Sequence, residues 1–453
     1  MKRILKAFLR QFEDFTVIIL IICALLSGGA QALRGGGGFG DCLIILAILI
    51  TNAVFGSYQE LKAEKIIGDV QTDRPTPMQK RLSETGRILC VLAAVCCAAV
   101  FLGGILRGNS PGDMLLLSLC LGAAVIPESL PAIVTIMLSS GICRLSKKGV
   151  IVRRLICAES LGQIKAVFLN MNKIGDKEKA ELESAGIEAA DKNDKETFYK
   201  IWCQGKTFCF VGEEYTDKRY MTAADIGCCF DTNPELYGVS HIVFKSLDSL
   251  PEAVKVGRVI YDNLKKSLHF LLSCNLGELL CIFISVIAGL EMPLSAVQLL
   301  MVNLITDCLP AIAMAAEPPE ENIMKRPPIE EEKLFTAEFI TKITFEGIII
   351  GAVSLCTFLF GKTVSGLTTG RTMAFAVLCI SQLFHSFNMR EKGLFKNKFL
   401  NLSFIIGTLM VILASELPFG AEIFGLSHLG LQLWFDVFLL SLFPFIIFKA
   451  VEK

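Results

Sequence analysis

The chain has 453 residues, 53% hydrophobic and 19% charged, with 44 Lys and Arg balancing 44 Asp and Glu. A mean hydropathy of +0.57 is too apolar for an ordinary soluble protein and fits a polytopic membrane protein with a soluble portion. The zero net charge offers no basic surface for nucleic acid. Most of the 17 Cys lie in apolar runs such as VLAAVCCAAVF, where they read as small buried hydrophobes rather than a disulfide framework, consistent with a reducing cytosol.

The N-terminal MKRILKAFLRQF is basic and amphipathic, and no A-x-A site follows it, so a cleavable leader is not expected. Ten segments of membrane-spanning length come in order: 15–33, 40–57, 88–107, 113–142, 266–289, 293–314, 338–361, 371–388, 399–417 and 430–449. The basic stretches MKRILK, Lys62 to Arg81, Lys147 to Arg154 and MREKGLFKNK fall on one side. Positive-inside counting therefore places both termini and the large loop in the cytoplasm, in an integral, plasma (inner) membrane protein. That loop, 143–265, alternates short apolar strands (KAVFLN, IEAA, TFCFVG, IGCCF, HIVFKS) with amphipathic helices (KEKAELESAG, KETFYKIWC, DKRYMTAA). This predicts a small, Rossmann-like parallel α/β domain. The expected organisation is 1–142 in the membrane with a short cytoplasmic loop, 143–265 in the cytoplasm and 266–453 in the membrane. A single helix from about residue 250 should run from the soluble domain into the fifth span.

Polar groups recur inside these apolar segments. AAVIPESLPAIV sets Glu128 between Pro127 and Pro131; SCNLGELLC carries Asn275 and Glu278; MVNLITDCLPA carries Asn303, Thr306 and Asp307; ISQLFHSF carries Gln382 and His385. Carboxylates at membrane depth are costly, and three without a cation would repel one another or take up protons. Facing each other, they supply the hard oxygen ligands that Ca²⁺ takes. The prolines break the helix and free the carbonyls of Ala123 and Pro127; those of Val125 and Ile126 are further candidate backbone ligands. Lys342 and Glu346 read as a local ion pair, and His385 as a hydrogen-bonded helix contact.

The quoted segments, with VIPESLPAIVTIMLSSGICRLSKKGVIVRRLICAESLG, VGRVIYDNLKKSLHFLLSCNLGELLCIF and PLSAVQLLMVNLITDCLPAIAMAAEPPEENIMKRPP, resemble the P-type cation ATPases, specifically the calcium-pump branch. The resemblance implies that Glu128, Asn275, Glu278, Asn303, Thr306 and Asp307 occupy Ca²⁺-coordinating positions. Gln382 stands at an acidic ligand position of the eighth span and is expected at the periphery of the site. A heavy-metal pump would carry a Cys-Pro pair where this chain has Pro127-Glu128.

The family's phosphorylated D-K-T-G-T is replaced by a stretch in which Asn170 stands at the nucleophile, followed by Met171, Asn172 and Lys173. An amide cannot form an aspartyl-phosphate. The hinge reads GEEYTD, with Glu213 in place of the first Asp and Asp217 retained; Asp176 offers only a displaced carboxylate. The actuator and nucleotide-binding domains find no counterpart between the matching segments. These departures lead to the expectation of a non-enzymatic, degenerate member that binds and moves a divalent cation, Ca²⁺ before Mg²⁺ or Mn²⁺, by facilitated flux or proton exchange and without ATP. The alternatives are a cation-sensing regulatory subunit docking a protein partner on the cytoplasmic domain, or an ATPase completed in trans. Lipid and the cation are the other expected partners.

Overall fold

The computed structural model describes residues 6–9, 12, 17–18, 21, 46–47, 49–51, 53–54, 56–58, 61, 91, 94–125, 130–303, 306, 308–328, 336–390, 393 and 396–451. The predicted spans 15–33 and 40–57 lie mostly outside this set.

Between residues 150 and 244 the chain forms a six-stranded sheet, built as the alternating pattern predicts. Its strands are β1 Val150–Val152, β2 Ala166–Leu169, β3 Glu188–Asp191, β4 Phe208–Gly212, β5 Ile226–Phe230 and β6 Ile242–Phe244. They lie in the order β1-β6-β5-β4-β2-β3, parallel except for β1, which pairs antiparallel with β6. The sequence reading missed β1, because three residues between basic flanks carry almost no periodicity. Side-chain alternation gives the sheet two faces. Phe168, Phe208 and Phe210 point to one, where Phe198 and Met221 from the overlying helices complete an aromatic core. The Phe168 and Phe198 rings sit edge to face with centroids 5.3 Å apart. Val167, Leu169, Cys209, Val211 and Cys228 point to the other face.

The second face is covered by α1 Asp176–Ser184 and by the start of α2, Leu250–Ala288. Pro251 opens α2 and Gly289, in the left-handed region at φ 72°, ends it. At 39 residues, α2 is about 58 Å long. It is the predicted continuous connector: Leu250, Ala253 and Val254 pack under the sheet, while Leu279, Ile282 and Val286 belong to the membrane core. The backbones of Gly257 and Gly162 touch, since a Cβ on Gly257 would lie 2.4 Å from the Gly162 nitrogen.

Among the described residues, five helices are long and apolar enough to cross a membrane: α2, α3 Ala337–Ser365, α4 Leu367–Asn388, α5 Lys398–Glu416 and α6 Leu431–Val451. These match five of the ten predicted spans. Small residues let them approach closely. A Cβ on Gly351 of α3 would stand 2.7 Å from the Gly277 carbonyl of α2. Helix α4 is central, with 78% of its apolar window buried, whereas α6 buries 22% and turns Leu431, Phe435, Leu439, Phe443 and Ile446 outward, as a lipid-facing stripe would. The predicted span 293–314 is not one regular helix: Ala296–Val302 and Cys308–Met314 are α-helical, and Asn303 and Thr306 between them are π-helical. Pro310 explains part of this break, since it cannot donate to the carbonyl one turn earlier.

The segment after Met314 is bound back onto α2. Arg258, 2% exposed, donates to the carbonyls of Ile323 (2.9 Å), Arg326 (2.8 Å) and Ala185 (2.7 Å). One side chain thus joins connector, sheet domain and loop. Arg258→Met would leave three carbonyls without this donor and is expected to cost about 3 kcal/mol of unfolding free energy, read from denaturant midpoints of the full chain in detergent.

His241 provides a pH test of the soluble domain. Its Nδ1 accepts from the Gly227 N–H at 2.9 Å, and burial together with the nearby Arg154 guanidinium lowers its pKa to about 4. The unfolded chain therefore takes up this proton first. Stability from neutral His241 is complete above about pH 6.5 and is lost as pH falls toward 4, by about 1–2 kcal/mol for a partly exposed group. His241→Gln should remove that part of the acid-side slope in pH-dependent urea titrations.

Candidate functional site

Glu278 is fully buried on α2, facing α4. Gln382 Nε2 donates to Glu278 Oε1 at 2.8 Å, and Gln382 Oε1 accepts within 2.6 Å of the Thr306 hydroxyl, which also lies 2.8 Å from the Val302 carbonyl. The structure thus brings together Glu278, Thr306 and Gln382, with Asn275 buried three residues before Glu278. Among the described residues, the second carboxylate oxygen of Glu278 and Asn303 Oδ1 are buried without a hydrogen-bond partner. Unsatisfied buried oxygens are uncommon and call for an explanation such as an ion. Gln382, expected at the periphery, instead bridges two of the predicted ligands.

Of the other predicted ligands, Glu128, Ile126 and Asp307 lie outside the described residues, as does Pro127. Ala123 and Val125 fall in the last turn of the helix Pro111–Val125, where the backbone alone is described. Among the described residues no group of three or more His, Cys, Asp or Glu is placed to hold a metal ion. The donor set that is described is one carboxylate with amide and hydroxyl oxygens, a hard set suited to Ca²⁺ or Mg²⁺ rather than to a soft metal.

Two polar features departed from the sequence reading. Lys342 pairs with Glu338 at 3.6 Å rather than with Glu346. Glu346 Oε2 instead faces His269 Nε2 at 2.6 Å and His385 Nε2 at 3.4 Å. The His385 ring also meets Ser273 Oγ at 2.8 Å, the helix contact expected of it. The three titratable groups come from three different helices, so their meeting has no signal in local spacing.

The second cluster lies at the carboxyl ends of β2 and β4, where strand order changes direction. Open α/β sheets bind ligands at such points. Asn170 follows β2, and its Nδ2 donates to Glu213 Oε2 at 3.3 Å. Lys173 and Lys192 approach Glu213 at 3.1 and 3.7 Å. Asp217 accepts from Lys192 at 2.9 Å and from the N–H groups of Glu213 and Glu214 at 2.8 and 3.1 Å. Burial opposes the Lys192 charge, but the bond from Asp217 and the neighbouring acids outweigh it and raise the Lys192 pKa. The edge is a closed network of charges.

Residues 291–453 match the family described as Cation transporting ATPase, C-terminus, and residues 2–27 the one described as Cation transporter/ATPase, N-terminus. Over 277 residues the chain is 34% identical to Calcium-transporting ATPase 1 of Bacillus cereus, covering 55% of this chain and 31% of that protein. It is 33% identical over 216 residues to the Calcium-transporting ATPase of Bacillus subtilis, covering 46% and 24%. A third relative, Calcium-transporting ATPase lmo0841 of Listeria monocytogenes, is 29% identical over 252 residues, 52% and 28% of the two chains. The chain spans about a third or less of the length of these relatives.

These matches support the P-type cation ATPase family. The molecule is an integral membrane protein with P-type ATPase-like features, related by sequence to proteins of ion and calcium transport. They also require a correction. Relatives named calcium-transporting ATPases are enzymes, which overturns the expectation, drawn from Asn170, of a non-enzymatic chain that works without ATP.

The Lys192 network can be tested directly. Lys192→Met leaves Glu213 and Asp217 facing each other without their shared cation and is expected to cost about 2–4 kcal/mol, measured by urea unfolding followed through Trp202 fluorescence.

Proposed function

We propose that the protein binds a divalent cation, Ca²⁺ before Mg²⁺ or Mn²⁺, within the membrane and transports it. Glu128, Asn275, Glu278, Asn303, Thr306 and Asp307 are the ligands, with Gln382 orienting Glu278. Ala123, Val125 and Ile126 are candidate backbone ligands, and protons are the exchanged ion. The observation that carries this reading is Glu278: a wholly buried carboxylate with one oxygen held by Gln382 and the other without a partner among the described residues, beside a π-helical break. A helix interrupted next to buried ligands is how membrane proteins expose backbone oxygen to an ion. The organisation we propose is 1–142 and 266–453 in the membrane, through ten spans in all, and 143–265 as the cytoplasmic α/β domain, with both termini cytoplasmic.

The physical basis for linking domain and site is α2. A rotation or shift of the sheet domain is carried along one helix to Glu278, because Gly257 and Arg258 fix its upper part to that domain. The relatives' names make Ca²⁺ the first ion to test and ATP the first energy source to add.

Tracer Ca²⁺ binding in detergent and flux in proteoliposomes, with and without Mg²⁺-ATP, test the proposal. Glu278→Gln, Glu128→Gln and Asp307→Asn should each weaken Ca²⁺ binding at least about tenfold, or roughly 1.4 kcal/mol. Gln382→Leu should weaken it less, because it removes the support of a ligand rather than a charge. Parent-like Ca²⁺ affinity in all three carboxylate variants would make these acids structural and remove the transport reading.

A further inference from the structure

A cavity of about 560 Å³ opens on the sheet's side of the helix bundle, lined by residues that include Lys265, His269, Phe339 and Lys342. At its inner wall His269 meets Glu346, and Glu346 in turn meets His385. Exposure falls along this path: the His269 side chain is 14% exposed, Glu346 8% and His385 0%. Water can therefore reach one end of the cluster and not the other.

The surrounding charges are already engaged. Lys266 and Arg326 pair with Glu320, and Arg326 also with Asp262. Lys342 pairs with Glu338, and Arg390 with Glu317. Lys265 lies over the Phe339 ring. From α6, Phe448 packs against the His385 ring, and Lys449 donates to the Arg390 carbonyl. Among the described residues, the groups in ion-pair range of Glu346 are the two imidazoles, and the Lys342 charge, one helical turn earlier on α3, also acts on it. With both imidazoles neutral, the cluster carries a charge of −1, which is costly where it is buried. One proton, shared by a carboxylate and two rings, brings it to zero. A second would bring it to +1, costly again.

We propose that His269, Glu346 and His385 form a proton-binding site, loaded from this cavity, whose occupancy opposes that of the cation site at Glu278. The inference rests on the cation-binding reading above and adds where the exchanged proton is held. The coupling element is α4: His385 and Gln382 lie three residues apart on one face, and Gln382 holds Glu278. Helix α2 supplies the other side, with Ser273 against His385 and Glu278 further along the same helix. Movement of the His385 ring toward or away from Glu346 therefore acts on the same helix turn that positions the Glu278 carboxylate. In the exchange step, a proton leaves water in the cavity, binds the His269–Glu346 pair and neutralises it; when a cation binds at Glu278, that proton returns to the cavity.

The test uses the full-length protein in detergent. Ca²⁺ affinity is measured between pH 6 and pH 8, and protons released on Ca²⁺ addition are counted with a pH-indicator dye in weak buffer. The variants are Glu346→Gln and, at the cavity wall where folding is less at stake, His269→Gln. In both, the loss of affinity between pH 8 and pH 6 should shrink, from about tenfold in the parent to under about threefold, with affinity at pH 8 within about twofold of the parent. Proton release per Ca²⁺ should fall by up to about one. Ca²⁺ binding with the parent's pH slope and proton count in both variants overturns the proposal and leaves the cation reading intact. If the parent binds no Ca²⁺, the cation reading fails and infrared difference spectra decide the proton site. A protonated-carboxyl band gained on acidification and absent in Glu346→Gln supports it; identical spectra overturn it.

Discussion

The contact between Gly162 and Gly257 fixes how this molecule is put together. Two backbones meet there without side chains between them, so the first turns of α2 are seated against the sheet domain rather than merely tethered to it. Arg258, the next residue, closes the joint with three hydrogen bonds to carbonyls in two other segments. A helix seated this firmly at one end and close-packed through Gly277 and Gly351 at the other behaves as a rod. The position of Glu278 in the bundle is then set partly by the sheet, far outside the apolar layer.

The bundle solves the cost of Glu278 locally. Gln382 offers its N–H group to the carboxylate and its oxygen to Thr306, so one neutral side chain meets both a charge and a hydroxyl. An acidic residue at 382 would bring a second negative charge against Glu278 and could not donate when ionised. The amide therefore lowers the local charge while holding Glu278 in place. Under the proposed cation-binding reading, a site with fewer charges would hold a divalent cation less strongly and release it more readily.

Much of the soluble fold was legible in the sequence because its signals are local. FCFVG and AVFL alternate or bury on both faces, the intervening helices are amphipathic, and EAVKVGRVIYDNLKKSLHF has no interruption before the membrane. The short β1 was not legible, since its identity comes from pairing with β6, ninety residues later in the chain. The polar residues of the candidate site were also readable, because any such group in an apolar segment stands out. Their partners were not. Lys342 and Glu346 have the spacing of a helical ion pair, yet Glu346 turns toward two histidines on other helices, and only tertiary packing decides between those choices. Asn170 shows the opposite error: a local substitution was extended to the activity of the whole chain, which the named relatives do not support.

The break between Val302 and Cys308 ties these observations to one physical demand. A regular α-helix satisfies its backbone oxygens internally and presents side chains at fixed steps of 100°. In a π-helical turn the steps differ, and Thr306 can reach Gln382 while Asn303 keeps an oxygen without a partner among the described residues. Irregular backbone at this depth would be costly against lipid, and the described part of it is turned inward at Thr306, which is fully buried and bonded to Gln382 of α4. Glu278 is likewise isolated from water, and among the described residues its charge is met by the Gln382 amide. The helix that carries Glu278 is also the one seated against the sheet domain, so the buried charge and the domain joint share one rigid element.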